Sequence, residues 1–132
     1  MNMDQEENTK IQKFTDLLSW QKGHELVLEI YKITSFFPKN EEYGLTSQIR
    51  RSAISITSNI AEGFSRRTYK DKISFYHISL GSLTELQNQL LIARDLEFIS
   101  KDTFIIIADK SVGVSKLLNG LIKSSRLKIH TS

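Results

Sequence analysis

The sequence predicts an all-α protein, an antiparallel up-down-up-down four-helix bundle, on three observations. Apolar residues recur at about 100° per residue through four long segments, the signature of helices that each bury one face. Helix start and stop signals separate these segments by short connections, which favours neighbours of alternating direction. The one strand-like run, Ile105 to Ile107, has no second run to pair with and sits in a heptad pattern that continues for several turns.

Residues 1–13, mostly polar and without periodicity, read as a disordered N-terminal tail, and 14–126 as the bundle. The first helix is expected from Ser19, as N-cap, to about Phe36, with Trp20, Val27, Ile30, Tyr31, Ile33 and Thr34 over a wide arc. Pro38 follows as a stop. The second opens after Glu41 and Glu42, whose charges suit a helix N-terminus, and runs to Gly63 or Phe64 with Gly63 as the expected C-cap. Leu45, Ile49, Ala53, Ile56, Ile60 and Phe64 form its core face. Arg51, Ser55, Ser58 and Glu62 line a second side, and Arg50, Ile54 and Ala61 a third. A helix with three distinct faces points to a second protein surface beside it.

The third helix starts at a capping-box-like Thr68-Tyr69-Lys70-Asp71 and extends to about Leu96. Its two adjacent apolar stripes, Phe75, Ser79, Leu83, Leu86, Leu90, Ala93 and Ile73, Tyr76, Leu80, Gln87, Leu91, exceed what one bundle core occupies, again favouring self-association. Ser100 caps the fourth helix, whose seam is Phe104, Ile107, Ser111, Val114, Leu118 and Leu121. Gly113 and Gly120 each cost about 1 kcal/mol relative to Ala, which a close approach between helices would offset. Residues 127–132 read as a C-terminal tail.

The block from Pro38 to Gly63, with Pro38, Glu41, Gly44, Leu45, Gln48, Arg50, Arg51, Ser55, Asn59, Ile60, Ala61, Glu62 and Gly63 in place, resembles the four-helix-bundle proteins of the 23S rRNA intervening-sequence family. Leu17 to Thr34 and Gly81 to Leu90 extend the resemblance, which covers about Phe14 to Arg126. That family is similar to the accessory variability protein of diversity-generating retroelements, a pentameric bundle that contacts a reverse transcriptase and nucleic acid. The resemblance therefore implies a ring-like homo-oligomer, a pentamer, with a reverse transcriptase, RNA or DNA as partner classes.

Length and composition set the other bounds. A chain of 132 residues makes one domain able to bury roughly two thirds of its unfolded surface. It has no cysteine, so disulfides, thiolate metal sites and a cysteine nucleophile are excluded. No apolar run approaches the ~20 residues that span a bilayer, and the acidic N-terminus is unlike a signal peptide, so a cytoplasmic protein without membrane contact is expected. The net charge of +3 includes Asp4, Glu6 and Glu7 of the tail, so the bundle itself is more basic.

Chemistry is sparse. His24, His77 and His130 show no metal-ligand spacing with one another or with carboxylates, and no Ser-His-Asp set or phosphate-cradling glycine loop can be placed. No cofactor is expected. Small helical-bundle ribonucleases of toxin and defence systems pair an Arg with a His across four to six intervening residues on one helix, where Arg126 and His130 have three. These two come nearest, with the wrong spacing and beyond the expected helix end.

An up-down-up-down course gathers Lys22, Arg66, Arg67, Lys70, Lys72, Lys123, Arg126 and Lys128 at one pole, against Asp16, Glu62 and Asp71. The other pole is near balance or acidic. Cations at helix C-termini account for Arg66, Arg67, Lys123 and Arg126, but Lys70 and Lys72 lie at a helix start, where cations are disfavoured. The expectation is a non-enzymatic, homo-oligomeric module that binds nucleic acid, RNA above all, or a nucleic-acid-processing protein at this pole. Arg50, Arg51, Ile54, Ser55, Asn59, Ala61 and Glu62 are assigned to the oligomer or to helix register. A ribonuclease and a purely structural assembly protein are the alternatives.

Overall fold

The computed structural model describes residues 10–129, which form four helices and no strand. Entry to the first is set by Asp16, whose carboxylate accepts the N–H groups of Gln12 and Lys13 at 3.0 and 3.1 Å and closes a 3-10 turn over Phe14–Asp16. These backbone donors, Gln12 first, hold the Asp16 carboxyl below its usual range. Helix α1 follows as Leu18–Thr34, with extended Leu17 at its N-cap. Ser19 is therefore not the cap. It lies buried inside the first turn with no partner for its hydroxyl, because burial of Leu17 against the core fixes where the helix begins.

Thr34 closes α1 by donating its hydroxyl to the Ile30 carbonyl at 2.7 Å. Beyond it Phe37 is buried against the Phe98 ring, and a 3-10 turn over Lys39–Glu41 leads to α2, Leu45–Phe64. Glu41 does more at this start than supply charge: its Oε2 accepts the Leu45 N–H at 3.0 Å. Helix α3 is Tyr69–Asp95, capped by the Thr68 hydroxyl, which accepts from the Asp71 N–H at 3.1 Å. It ends in a Schellman arrangement, with Phe98 N–H on the Ala93 carbonyl and Glu97 N–H on the Arg94 carbonyl. The left-handed position falls on Glu97, φ 63°, where glycine is usual. Ser100 caps α4, Lys101–Ile129, by accepting the Thr103 N–H at 3.1 Å. The helix thus runs three residues past Arg126.

All four helices contribute to one core. The α2 face of Ile49, Ala53, Ile56 and Ile60 is fully buried against Leu26 and Ile30 of α1, Tyr76, Leu83, Leu86 and Leu90 of α3, and Ile107, Val114 and Leu118 of α4. Helix α1 packs against α2 and α4, α2 against α3, and α3 against α4. The α4 seam continues through Ile122 and Ser125, with Leu121 only half-buried: a straight helix drifts away from a strict heptad.

The most extensive packing joins α2 to α3, and Gly63 sits in it. The sequence pattern makes Gly63 a C-cap, but the helix continues through it with ordinary backbone angles. A Cβ on Gly63 would lie 2.7 Å from Tyr76 Cε1 and 3.0 Å from Phe75 Cβ, so its role is to let the two helices approach. Gly113 shows the reverse: a Cβ there meets nothing within 4 Å, so no close approach explains it. Gly63→Ala should accordingly destabilise the protein by about 1–3 kcal/mol through overpacking against a rigid ring. Gly113→Ala should stabilise it by up to about 1 kcal/mol. Urea unfolding midpoints of the two variants check this; equal shifts of the same sign would contradict it.

Candidate nucleic-acid interface

Arg50 reaches across to α1. Its Nε donates to the Thr34 hydroxyl at 2.8 Å, its Nη2 lies 3.4 Å from the Tyr31 carbonyl, and its guanidinium sits 4.5 Å from the Tyr31 ring centroid. One side chain thus serves the C-terminal turn of α1 and holds the α1–α2 register within the chain. Arg50→Ala should cost about 1–2 kcal/mol in urea unfolding. Arg50→Lys should recover only part, because an ammonium lacks the planar fork; full recovery would mean that charge alone matters.

Ser55 bridges α2 and α3, and Asn59 backs it from one turn along α2. The hydroxyls of Ser55 and Ser82 are 2.7 Å apart, and Asn59 Nδ2 donates to the Ser55 carbonyl and hydroxyl. Glu62 pairs with Arg66 at 2.7 Å, one turn along, and not with Arg51. Arg51 and Ile54 remain exposed, Ile54 by 41%, with Ala61 half-buried. Arg50, Arg51 and Ile54 line an open depression of about 570 Å³ with Tyr31 and the almost fully exposed Tyr43.

The connection between α2 and α3 and the last turns of α4 meet in a basic, aromatic-lined surface. Lys128 Nζ lies 5.5 Å from the Tyr69 ring centroid, and Arg126 Nη2 lies 3.2 Å from His77 Nε2. Lys72 Nζ donates to the Phe64 carbonyl at 2.5 Å and lies 5.1 and 5.8 Å from the Phe64 and Tyr69 rings. Partial burial lowers its ammonium from the ordinary lysine value. This contact removes the apparent misplacement of Lys72 at a helix start, because the charge caps the end of α2. Arg66 is likewise occupied, lying over the Phe75 ring at 4.5 Å while it pairs with Glu62.

Arg67, Lys70 and Lys123 are exposed, and their side chains form no ion pair or hydrogen bond among the described residues. Lys22, at the start of α1, pairs with Glu25 at 3.3 Å. The cations therefore divide into those fixed by the fold and those open to a ligand. The His77–Arg126 contact is invisible to a search for spacing along one helix, because its members come from α3 and α4. Pairing the two helices in register would have been the signal. His130 lies outside the described residues. Among those residues no group of three or more His, Asp and Glu side chains is placed to hold a metal ion, and no helix is long and apolar enough to cross a membrane.

Four long helices around one core, with a basic and aromatic surface where α2, α3 and α4 meet, define an all-helical protein. The chain belongs to the 23S rRNA-intervening sequence protein family, whose sequence profile matches residues 15–120. It is similar in structure to a protein of unknown function from the S23 ribosomal protein family of Bacteroides thetaiotaomicron. The two share 27% identity and a TM-score of 0.75 over 80% of this chain and 99% of that one. No curated protein matches this chain.

Proposed function

We propose that the protein is a non-enzymatic module that binds RNA through its basic surface, as an antiparallel up-down-up-down bundle assembled into a ring of identical chains. The observation that carries the RNA reading is the set Arg67, Lys70 and Lys123, exposed and unneutralised beside Tyr69, Lys128 and Arg126. Lys and Arg with few stacking groups suit phosphate contacts more than base reading, so sequence preference is small. The family's association with 23S rRNA intervening sequences supports RNA as the ligand class. A nucleic-acid-processing protein such as a reverse transcriptase is the alternative partner class.

The antiparallel course is supported by contacts that run in opposite order along neighbouring helices. Gly23 faces Thr57 where Thr34 meets Arg50; Lys72 meets Phe64 where Ser82 meets Ser55; His77 meets Arg126 where Gln87 meets Ser111. Assembly is supported by the exposed apolar side chains Leu28, Tyr43, Ile54, Ile78 and Ile105. A ring, five-membered in this reading, would carry several copies of the basic surface on one face and act multivalently.

Salt titrations of labelled single-stranded RNAs of unrelated sequence test both parts. Against wild type, the Arg67, Lys70 and Lys123 triple Gln variant should bind all sequences about tenfold less tightly and lose up to about two units of log–log salt slope. Light scattering in parallel should give the same multiple of the 15.2 kDa chain for both. Ile54→Asp should reduce that multiple with helix content kept. Unchanged affinity and slope in the triple variant would remove the site from this surface, and a 15.2 kDa wild-type particle would remove the ring.

A further inference from the structure

The His77–Arg126 contact has the unusual property that both members can be cationic and, among the described residues, neither meets a carboxylate. A guanidinium only donates, so at 3.2 Å from Arg126 Nη2 the His77 Nε2 must accept, which makes the ring neutral with its proton on Nδ1. Around the pair, Lys123 lies one turn before Arg126 on α4 and Lys70 two turns before His77 on α3, both exposed. The nearest turns of α3 carry Ile73, Ser74, Leu80 and Gly81, and α2 meets α3 through the uncharged Ser55, Ile56 and Gly63. Glu62, the nearest acid on α2, is taken by Arg66. No ion pair among the described residues involves His77, Arg126, Lys123 or Lys70.

Protonating His77 in this setting removes the acceptor and sets two cations face to face. Binding an anion between them turns that repulsion into two charge-assisted hydrogen bonds. We propose that His77 and Arg126 form a clamp for a phosphate group, loaded by protonation of His77; this rests on the RNA-binding reading and gives one of its phosphate contacts a pH dependence. The sign follows from linkage. The bound anion favours the imidazolium, so the bound state holds its proton to higher pH than the free state. The extra affinity is therefore gained as pH falls and lost as pH rises.

Anisotropy of a labelled single-stranded RNA at about pH 5.5 and 7.5 and constant ionic strength tests this, because whatever factor RNA adds to the proton affinity of His77 reappears as the limiting gain in RNA affinity at low pH. Wild type should bind several-fold more tightly at the lower pH. His77→Gln and Arg126→Gln should each lose most of that ratio, and His24→Gln should keep it. RNA binding whose pH ratio survives His77→Gln overturns the clamp. If wild type binds no RNA at either pH, the RNA reading fails and inorganic phosphate decides the clamp by histidine NMR. A phosphate-dependent rise in the His77 midpoint that Arg126→Gln abolishes supports it, and no rise overturns it.

Discussion

The contact of Gly63 on α2 with Tyr76 on α3 sets the separation on which the rest of the molecule depends. With the helices that close, α3 can bond directly to the α2 backbone and side chains. Ser79 Oγ donates to the Ile56 carbonyl at 2.7 Å in the core, and Ser55 and Ser82 meet at the edge. Tyr76 is buried, which pushes its phenol up to about 12. Small residues at the crossing and a large ring beside them divide the work: the first permit approach and the second fills the space that approach leaves.

This pair also shapes the basic surface. Because α2 ends where α3 begins, Lys72 can turn back to the Phe64 carbonyl and Arg66 can lie on Phe75, so two cations act for the fold. Arg67 and Lys70 fall on the outer side of the same connection and keep their charge in solvent. Helix α4 brings Arg126 to His77, and it brings Lys128 to Tyr69 because it continues to Ile129. Net charge alone would weight all of these equally. Contact and burial separate the charges that hold the structure from those left in solvent.

The core face of α2 was legible in the sequence because strong 3.6-residue periodicity left little choice of inward side, as at Ile49, Ile56 and Ile60. The two apolar stripes of α3 instead left its inward side open and put the core residue Tyr76 in the second. The Thr68 and Ser100 caps were legible for a local reason, since side chain and N–H partner lie three residues apart. Gly63 was misread because a glycine near a helix end fits a cap and a close crossing equally well, and only the neighbouring helix decides. Glu97 carried no signal for its left-handed backbone. Arg50 was assigned beside Ile54 to an outer face, yet its long side chain crosses to α1. His77 and Arg126 needed the α3–α4 register, which no single-helix pattern contains.

If the α2–α3 crossing is the constraint that organises the fold, it should be the last part of the protein to open. Native-state hydrogen exchange measures this residue by residue. Amides at Ile56, Ile60, Leu83 and Leu86 are expected to exchange only with global unfolding, while those in the first turns of α1 and the last turns of α4 exchange through smaller openings. The contradicting result is central α1 or α4 amides as the slowest set, with Ile60 and Leu83 exchanging before them.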